Sequence, residues 1–206
     1  MARYIELHPV NPQVRLIEKI VDRIRQGQIG AIPTDSGYAL VCGLGNKAGL
    51  ERITKIRKVG EHHHFTLLCH NFAQLGKLVI IDNSFFRLIK SLTPGPYTFI
   101  LKGTKEVPKI MLNPKKATVG ARIPAHLIVQ MIVEELGEPL QSSTLILPGE
   151  TDPISEAWVV QEKLDHELDF IVDGPVESTE PTTVLDLSAG ELMITREGAG
   201  DISAFS

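Results

Sequence analysis

The sequence predicts an α/β protein built on a twisted, mixed parallel and antiparallel sheet flanked by helices. Three observations carry this. Amphipathic helical stretches alternate with short apolar, β-rich stretches along the whole chain. Two strand-like stretches, TTVLDLS and LMITREG, follow one another near the end with no helix between them, which argues against a purely parallel sheet. The chain has 206 residues, 43% of them hydrophobic and 22% charged, enough for one domain with a sizeable core.

The elements follow in order. Residues 12–27 place Val14, Ile17, Ile20, Val21 and Ile24 at three- and four-residue spacings, the pattern of a helix. Asn11 is its expected N-cap, with Pro12 at the first helical position and Gly27 as the stop. IGAIPT is a short buried strand interrupted by Pro33. Residues 47–58 form a second helix with a basic end, and HFTLLCH a strand. Residues 83–92 form a helix that TPGP ends, and YTFILKG is a strand of clear β composition. KATVGARIP is a strand stopped by Pro124, and residues 125–136 are an amphipathic helix closed by Gly137. LQSSTLIL is a strand, residues 153–167 are helical, and DFIVDGP is a strand before the final pair. Residues 148–155 and 173–183 read as loops.

The formal net charge of −4 argues against wholesale coating of a nucleic acid and leaves room for a local basic groove. Cys42 and Cys69 sit in apolar surroundings and are expected as buried thiols rather than as a disulfide. The start of the chain has no apolar signal segment, and no run is long enough to span a bilayer, so a cytoplasmic location is expected.

Chemistry concentrates in a few stretches. PTDSGYAL crowds the hydroxyls of Thr34, Ser36 and Tyr38 around Gly37. Such a set suits a small polar zwitterion; equally, it suits a turn whose hydroxyls cap local structure. In KIRK, the cations Lys55 and Arg57 either complement a helix C-terminus or clamp a phosphate. Walker A and GxGxxG patterns are missing, so a nucleotide site must be of another kind. His62, His63 and His64 are consecutive, a spacing that fits a solvated loop better than a zinc site, and no metal ligand set is assigned. Arg122 lies inside a β run and needs a carboxylate or a ligand anion as partner. REGAG sets Arg196 beside glycines, as anion sites do. No G-x-S-x-G elbow or Ser/His/Asp order stands out.

The ordered set PTDSGYAL, KIR, HFTLL, TPGPYTFIL, GARIP, SST, VDG, PTTVLDL and REG resembles the YrdC/YciO family, and its YciO branch most closely. The match runs from about residue 12 to 200, so residues 1–206 are expected as a single domain of this type. The resemblance implies a large concave, electropositive cavity. It implies threonylcarbamoyl-AMP synthase-type activity, in which L-threonine, bicarbonate and ATP are joined and pyrophosphate is released for tRNA threonylcarbamoyladenosine formation. Mg²⁺ would ride on the ATP triphosphate. Binding of tRNA or double-stranded RNA is linked to the family as well, and a non-catalytic RNA-binding module is the alternative reading.

By motif, the resemblance assigns Thr34, Ser36 and Tyr38 to the threonine pocket, with His63 and Thr66 in the segment lining the same cavity. Arg122 would hold the threonine carboxylate. Thr182 and Thr183 match a P-S-T strand start bordering the threonine. Lys55, Arg57, Ser143, Thr144 and Arg196 would hold the nucleotide. The set departs from the family at T-S-A-N: Leu145 stands at the Ala position and Ile146 at the Asn position. A polar amide thus becomes aliphatic, and a hydrogen bond worth on the order of 1 kcal/mol is lost there. The expectation that results is one cavity gathering Thr34, Lys55, Arg57, Arg122 and Arg196 around an anionic, adenosine-bearing guest.

Overall fold

The computed structural model describes residues 1–60 and 63–205. The strands are β1 Arg3–Glu6, β2 Gly30–Thr34, β3 Gly37–Gly43, β4 Thr66–Leu68, β5 Val79–Ile80, β6 Tyr97–Gly103, β7 Thr118–Arg122, β8 Leu140–Thr144, β9 Phe170–Asp173, β10 Thr183–Asp186 and β11 Met193–Arg196. The helices are α1 Val14–Arg25, α2 Lys47–Arg57, α3 Phe72–Leu78, α4 Asn83–Ser91, α5 Leu127–Leu136 and α6 Ala157–Leu164. One sheet runs β1-β9-β2-β3-β8-β4-β7-β6-β10-β11, with β5 added to β6. β10 and β11 pair antiparallel while β6 and β10 pair parallel, so the sheet is mixed as the terminal strand pair predicted.

The sheet separates two apolar layers. On one face α2, α3, α4 and α6 bring Leu50, Ile53, Leu75, Ile89 and Val160 against Leu40, Leu67, Phe99, Ala121 and Leu185. On the other, α1 and α5 press Ile17, Ile20, Val21, Ile24, Ile128, Val129, Ile132 and Val133 onto Ile32, Ala39, Val41, Leu68 and Phe170. That second face matters for the site, because α1 and α5 cover only part of it.

Several boundaries differ from the sequence reading for local reasons. α1 begins at Val14 after an extended Gln13, with no side-chain cap. Asn11 is not its N-cap: its N–H donates to His8 Nδ1 in a preceding turn. α5 begins at Leu127, because the Ala125 N–H donates to Asp35 Oδ2 and His126 is still extended. α6 begins at Ala157 because residues 153–154 are used elsewhere: Pro153 packs on Gly37 and the Ile154 carbonyl accepts from Tyr38 N–H. The sequence reading contains no strand at β1, β3 or β5 and no helix at α3; β3 forms an antiparallel hairpin with β2 through the turn at Asp35 and Ser36. α3 is seven residues long, holds Gly76, and is anchored by Asn71 capping Gln74 N–H.

Cys42 and Cys69 are unbridged and buried. Burial pushes their thiols up to about 11 and about 12, so they stay protonated at neutral pH. Among the described residues no helix is long and apolar enough to cross a membrane.

Candidate functional site

Strand register explains where the cavity lies. Thr66 of β4 pairs with Gly120 of β7, Gly120 with Ile100 of β6, and Ile100 with Asp186 of β10. Directly paired residues share a face. Thr66 also pairs with Ser142, and Ser142 with Val41, which lies under α1 and α5. The face that those two helices cover at β2, β3 and β9 therefore continues, without a helix over it, across β4, β7, β6 and β10. There it forms a cavity of about 450 Å³. The floor is polar where the covered part is apolar: Thr66, Thr98, Thr182 and Thr195 line it, with Ser143 and Thr144 at the end of β8.

Two guanidinium groups give the cavity its charge. Arg57, the last residue of α2, enters it with Nε and Nη1 buried and, among the described residues, without a hydrogen-bond partner. Burial, with Arg196 nearby, pulls its pKa down to about 10. Arg196 is fixed differently: Nε donates to the Thr182 carbonyl at 2.9 Å and Nη2 to Thr182 Oγ1 at 3.0 Å. Thr182 Oγ1 in turn lies 2.8 Å from Thr98 Oγ1. Burial, and then Arg122, lower the Arg196 pKa as well. A pair of desolvated, like-charged groups, one with unmet donors, is poised for an anion.

The imidazoles of His63 and His64 occupy one wall. His63 Nε2 lies 3.0 Å from Ser143 Oγ, and its ring meets Phe65 edge-on. His64 Nε2 lies 3.2 Å from Thr118 Oγ1. Burial, then Arg57, His64 and Arg196, drive the His63 pKa down to about 4, so it is neutral at pH 7. The folded protein thus refuses a proton that the unfolded chain accepts from about pH 6.5 downward. The contribution of His63 to stability should fall as pH drops from about 6.5 to about 4 and change no further below that. Urea unfolding across this window should show the decline, and His63→Gln should flatten part of it. A slope identical in wild type and variant would place its origin elsewhere.

The sequence-predicted residues divide. Arg57, Arg196, His63, Thr66, Ser143, Thr144 and Thr182 meet in this cavity. Lys55 does not: it is exposed and absent from the lining. Thr34, Ser36, Tyr38, Arg122 and Thr183 are buried but also absent from the lining. Thr34 Oγ1 donates to the Gly37 carbonyl at 2.7 Å and accepts from Ser36 N–H at 3.0 Å, closing the turn between β2 and β3. Ser36 Oγ donates to the Glu180 carbonyl, and Tyr38 Oη to that of Val172. Burial lifts the Tyr38 phenol well above its usual range. Thr183 Oγ1 donates to the Gly200 carbonyl and accepts from Gly198 N–H. Of the stretch PTDSGYAL, then, the hydroxyls are spent on backbone groups. Gly37 is needed for a φ of +76° and because a Cβ would collide with Pro153. His62 lies outside the described residues. Among the described residues no three His, Cys, Asp or Glu side chains are grouped to hold a metal.

Arg122 has found its carboxylate. Its Nη2 pairs with Asp35 Oδ1, and the two side chains are 5% and 3% exposed. Its Nε is buried and has no partner among the described residues. Arg122 is two residues along β7 from Gly120, so it shares the cavity face, and it is close enough to Arg196 to lower its pKa.

The glycines of REGAG serve packing rather than anion contact. A Cβ on Gly198 would collide with the Pro181 carbonyl, and one on Gly200 with the Tyr97 ring. The Gly198 and Ala199 N–H groups are already given to Thr183 Oγ1 and to the Pro181 carbonyl. Gly198→Ala should therefore cost about 1–3 kcal/mol by forcing the loop away from β10. Thermal denaturation checks this; an unchanged midpoint would mean that the loop yields freely.

The sequence reading assigns no site role to Asp35, Thr98, Gly120 or Asp186, and it places His64 in a solvated loop, whereas the structure sets it in the cavity wall. Period-two alternation sets Thr98 on one strand face with Ile100 and Lys102, and Asp186 on one with Thr182 and Val184, faces of mixed polarity that signal a side of the sheet not packed wholly in the core. Gly120 is a lone glycine inside a strand, a mark of close approach. A Cβ there would come within 2.9 Å of Thr66 Oγ1 and 3.1 Å of the Phe65 carbonyl. Its bare backbone keeps the cavity floor open.

Residues 22–198 match the Sua5/YciO/YrdC family, described as "Telomere recombination". The chain belongs to this family. It is 43% identical over 205 residues to YciO of Escherichia coli K12, covering 100% of both chains. The crystal structure of that protein superposes with a TM-score of 0.97. A threonylcarbamoyl-AMP synthase of Vibrio vulnificus is 25% identical over 181 residues, 86% of this chain and 96% of the relative. P. abyssi Sua5, solved in complex with L-threonine, shares the fold at a TM-score of 0.88 and 23% identity, over 100% of this chain and 59% of that one. Within the family frame, the T-S-A-N departure has a physical location here. Leu145 is buried in the core and Ile146 lines the cavity, so the aliphatic side chain stands inside the site.

Proposed function

We propose that the cavity binds ATP or an adenylate together with L-threonine and carries out threonylcarbamoyl-AMP synthase-type chemistry, in keeping with the distant synthase relatives. The observation that carries this reading is Arg57, two of whose guanidinium nitrogens are buried and without a partner among the described residues, in a cavity that also holds Arg196. Burying such a charge costs free energy that a bound anion returns. The phosphates belong at this end. Arg57 meets them with its open donors, while Arg196 is held rigid by Thr182 as a second positive wall. Ser143 and Thr144 supply hydroxyls beside them.

Joining a carbamate to the α-phosphate of ATP requires positioning and charge neutralisation more than a protein nucleophile. Mg²⁺, arriving on the triphosphate, would neutralise charge there; Asp186 is the one carboxylate among the described lining residues and the group fitted to face it. Threonine and bicarbonate would approach from the Arg122 side, where Nε keeps an unused donor. Ile146 removes one polar contact, so turnover is expected to be slower than in a synthase with an amide there.

The test is mass spectrometry of products after incubation with ATP, threonine and bicarbonate, with and without tRNA. Threonine-dependent AMP and pyrophosphate support the reading. If ATP and AMP both fail to bind by calorimetry, it falls. Salt-sensitive retention of tRNA without any adenylate binding would favour the RNA-binding module instead.

A further inference from the structure

The cavity contains chemistry that the joining reaction does not call on. Ser143 Oγ lies 3.0 Å from His63 Nε2, the spacing of a nucleophile and its base. Both are held in place. Ser143 is in register with Leu40 on β3, so its backbone is fixed by the sheet. The His63 backbone N–H donates to the Gly60 carbonyl at 3.0 Å, and its ring rests against Phe65. Arg57 lies near enough to act on the His63 charge, and its Nε and Nη1 have no partner among the described residues.

Resting on the adenylate reading above, we propose that Ser143 and His63 form a nucleophile–base pair that cleaves an acyl or carbamoyl group from the phosphate of a bound adenylate, releasing AMP. With the His63 proton on Nδ1, Nε2 accepts the hydroxyl proton as Ser143 Oγ attacks the carbonyl carbon. The C–Oγ bond forms, the bond from carbon to the phosphate oxygen breaks, and AMP leaves with its electron pair. Arg57 offers its open donors to the charge that develops at the carbonyl and the departing phosphate. The imidazolium gives its proton to solvent. Water then attacks the acyl-serine; His63 takes the water's proton and returns it to Ser143 Oγ as that bond breaks. The sum is adenylate plus water giving AMP plus a carboxylic or carbamic acid. His63 is neutral at pH 7, as a proton acceptor must be, and a bound phosphate that offsets the charges of Arg57 and Arg196 raises its basicity from the low value of the empty cavity.

A simple acyl adenylate, acetyl-AMP, is the probe. AMP release is followed with the intact protein and with Ser143→Ala and His63→Gln, and AMP binding by each is measured by calorimetry. The expected result is release at least about 100-fold faster than with either variant, together with an acetyl mass increment on the Ser143 peptide. Variants that bind AMP normally while release matches wild type overturn the pair and leave the adenylate reading standing. Failure of the wild type to bind AMP overturns both. Should Ser143→Ala not fold, His63→Gln, altered outside the sheet, carries the same comparison.

Discussion

Arg57→Met is expected to weaken ATP or AMP binding by about 10- to 100-fold while making the empty protein more stable. The first half follows from the strength of charge-assisted hydrogen bonds, about 1.5–3 kcal/mol each. The second follows from the absence of any partner for Nε and Nη1 in the described residues. Folding moves this group partly out of water and beside Arg196, which is why its pKa sits near 10. At pH 7 it is charged whether folded or unfolded, so the burial penalty is present in full. Replacing it with an apolar chain of similar length removes that penalty. Discounted for the part of the side chain that still sees water, the gain is about 1–2 kcal/mol, or roughly 2–8 °C in midpoint. Calorimetry and thermal denaturation on the same preparation separate the two effects. A variant that is destabilised, or that binds nucleotide as before, would show Arg57 to be a structural cation.

Asp35→Ala is expected to be among the most damaging single changes in the chain. Asp35 is 4% exposed and accepts from Arg122 Nη2 and from Ala125 N–H, so it joins β7 to the approach to α5. Removing it leaves Arg122, also 4% exposed, as a buried charge without compensation. Breaking such a pair from one side costs about 3–5 kcal/mol. For a chain of this size that corresponds to a midpoint lowered by roughly 6–20 °C. The double variant with Arg122→Met should recover most of the loss, because the orphaned charge is gone. A loss below about 1 kcal/mol for Asp35→Ala alone would mean that water reaches Arg122 in its place.

Lys55 and Arg57 show where reading a sequence stops. They are adjacent in the motif and were expected to clamp together. On a helix, two residues apart means about 200° around the axis, so the two side chains cannot share a face. Nothing in the string KIR says which of them looks into the cavity. The packing of Leu50 and Ile53 onto the sheet decides it by fixing the rotation of α2. The hydroxyls of Thr34 and Ser36 make the same point. Their chemistry was legible, but a hydroxyl has the same donors and acceptors for a ligand as for a carbonyl. The close of the β2–β3 turn and the nearness of Glu180 spent them on backbone.

The sequence by itself determined most of the alternation of elements, the mixed sheet, the buried thiols and the strand positions of Thr66, Ser143 and Thr144, because side-chain periodicity and β composition are local properties. Only the tertiary structure decided that these residues meet Thr182, Arg57, Arg196 and His63 around one cavity. Whether a residue faces a helix, a ligand or a neighbouring carboxylate depends on strand register and on which part of the face α1 and α5 cover. Those are set by contacts between residues far apart in the chain, and no local pattern encodes them.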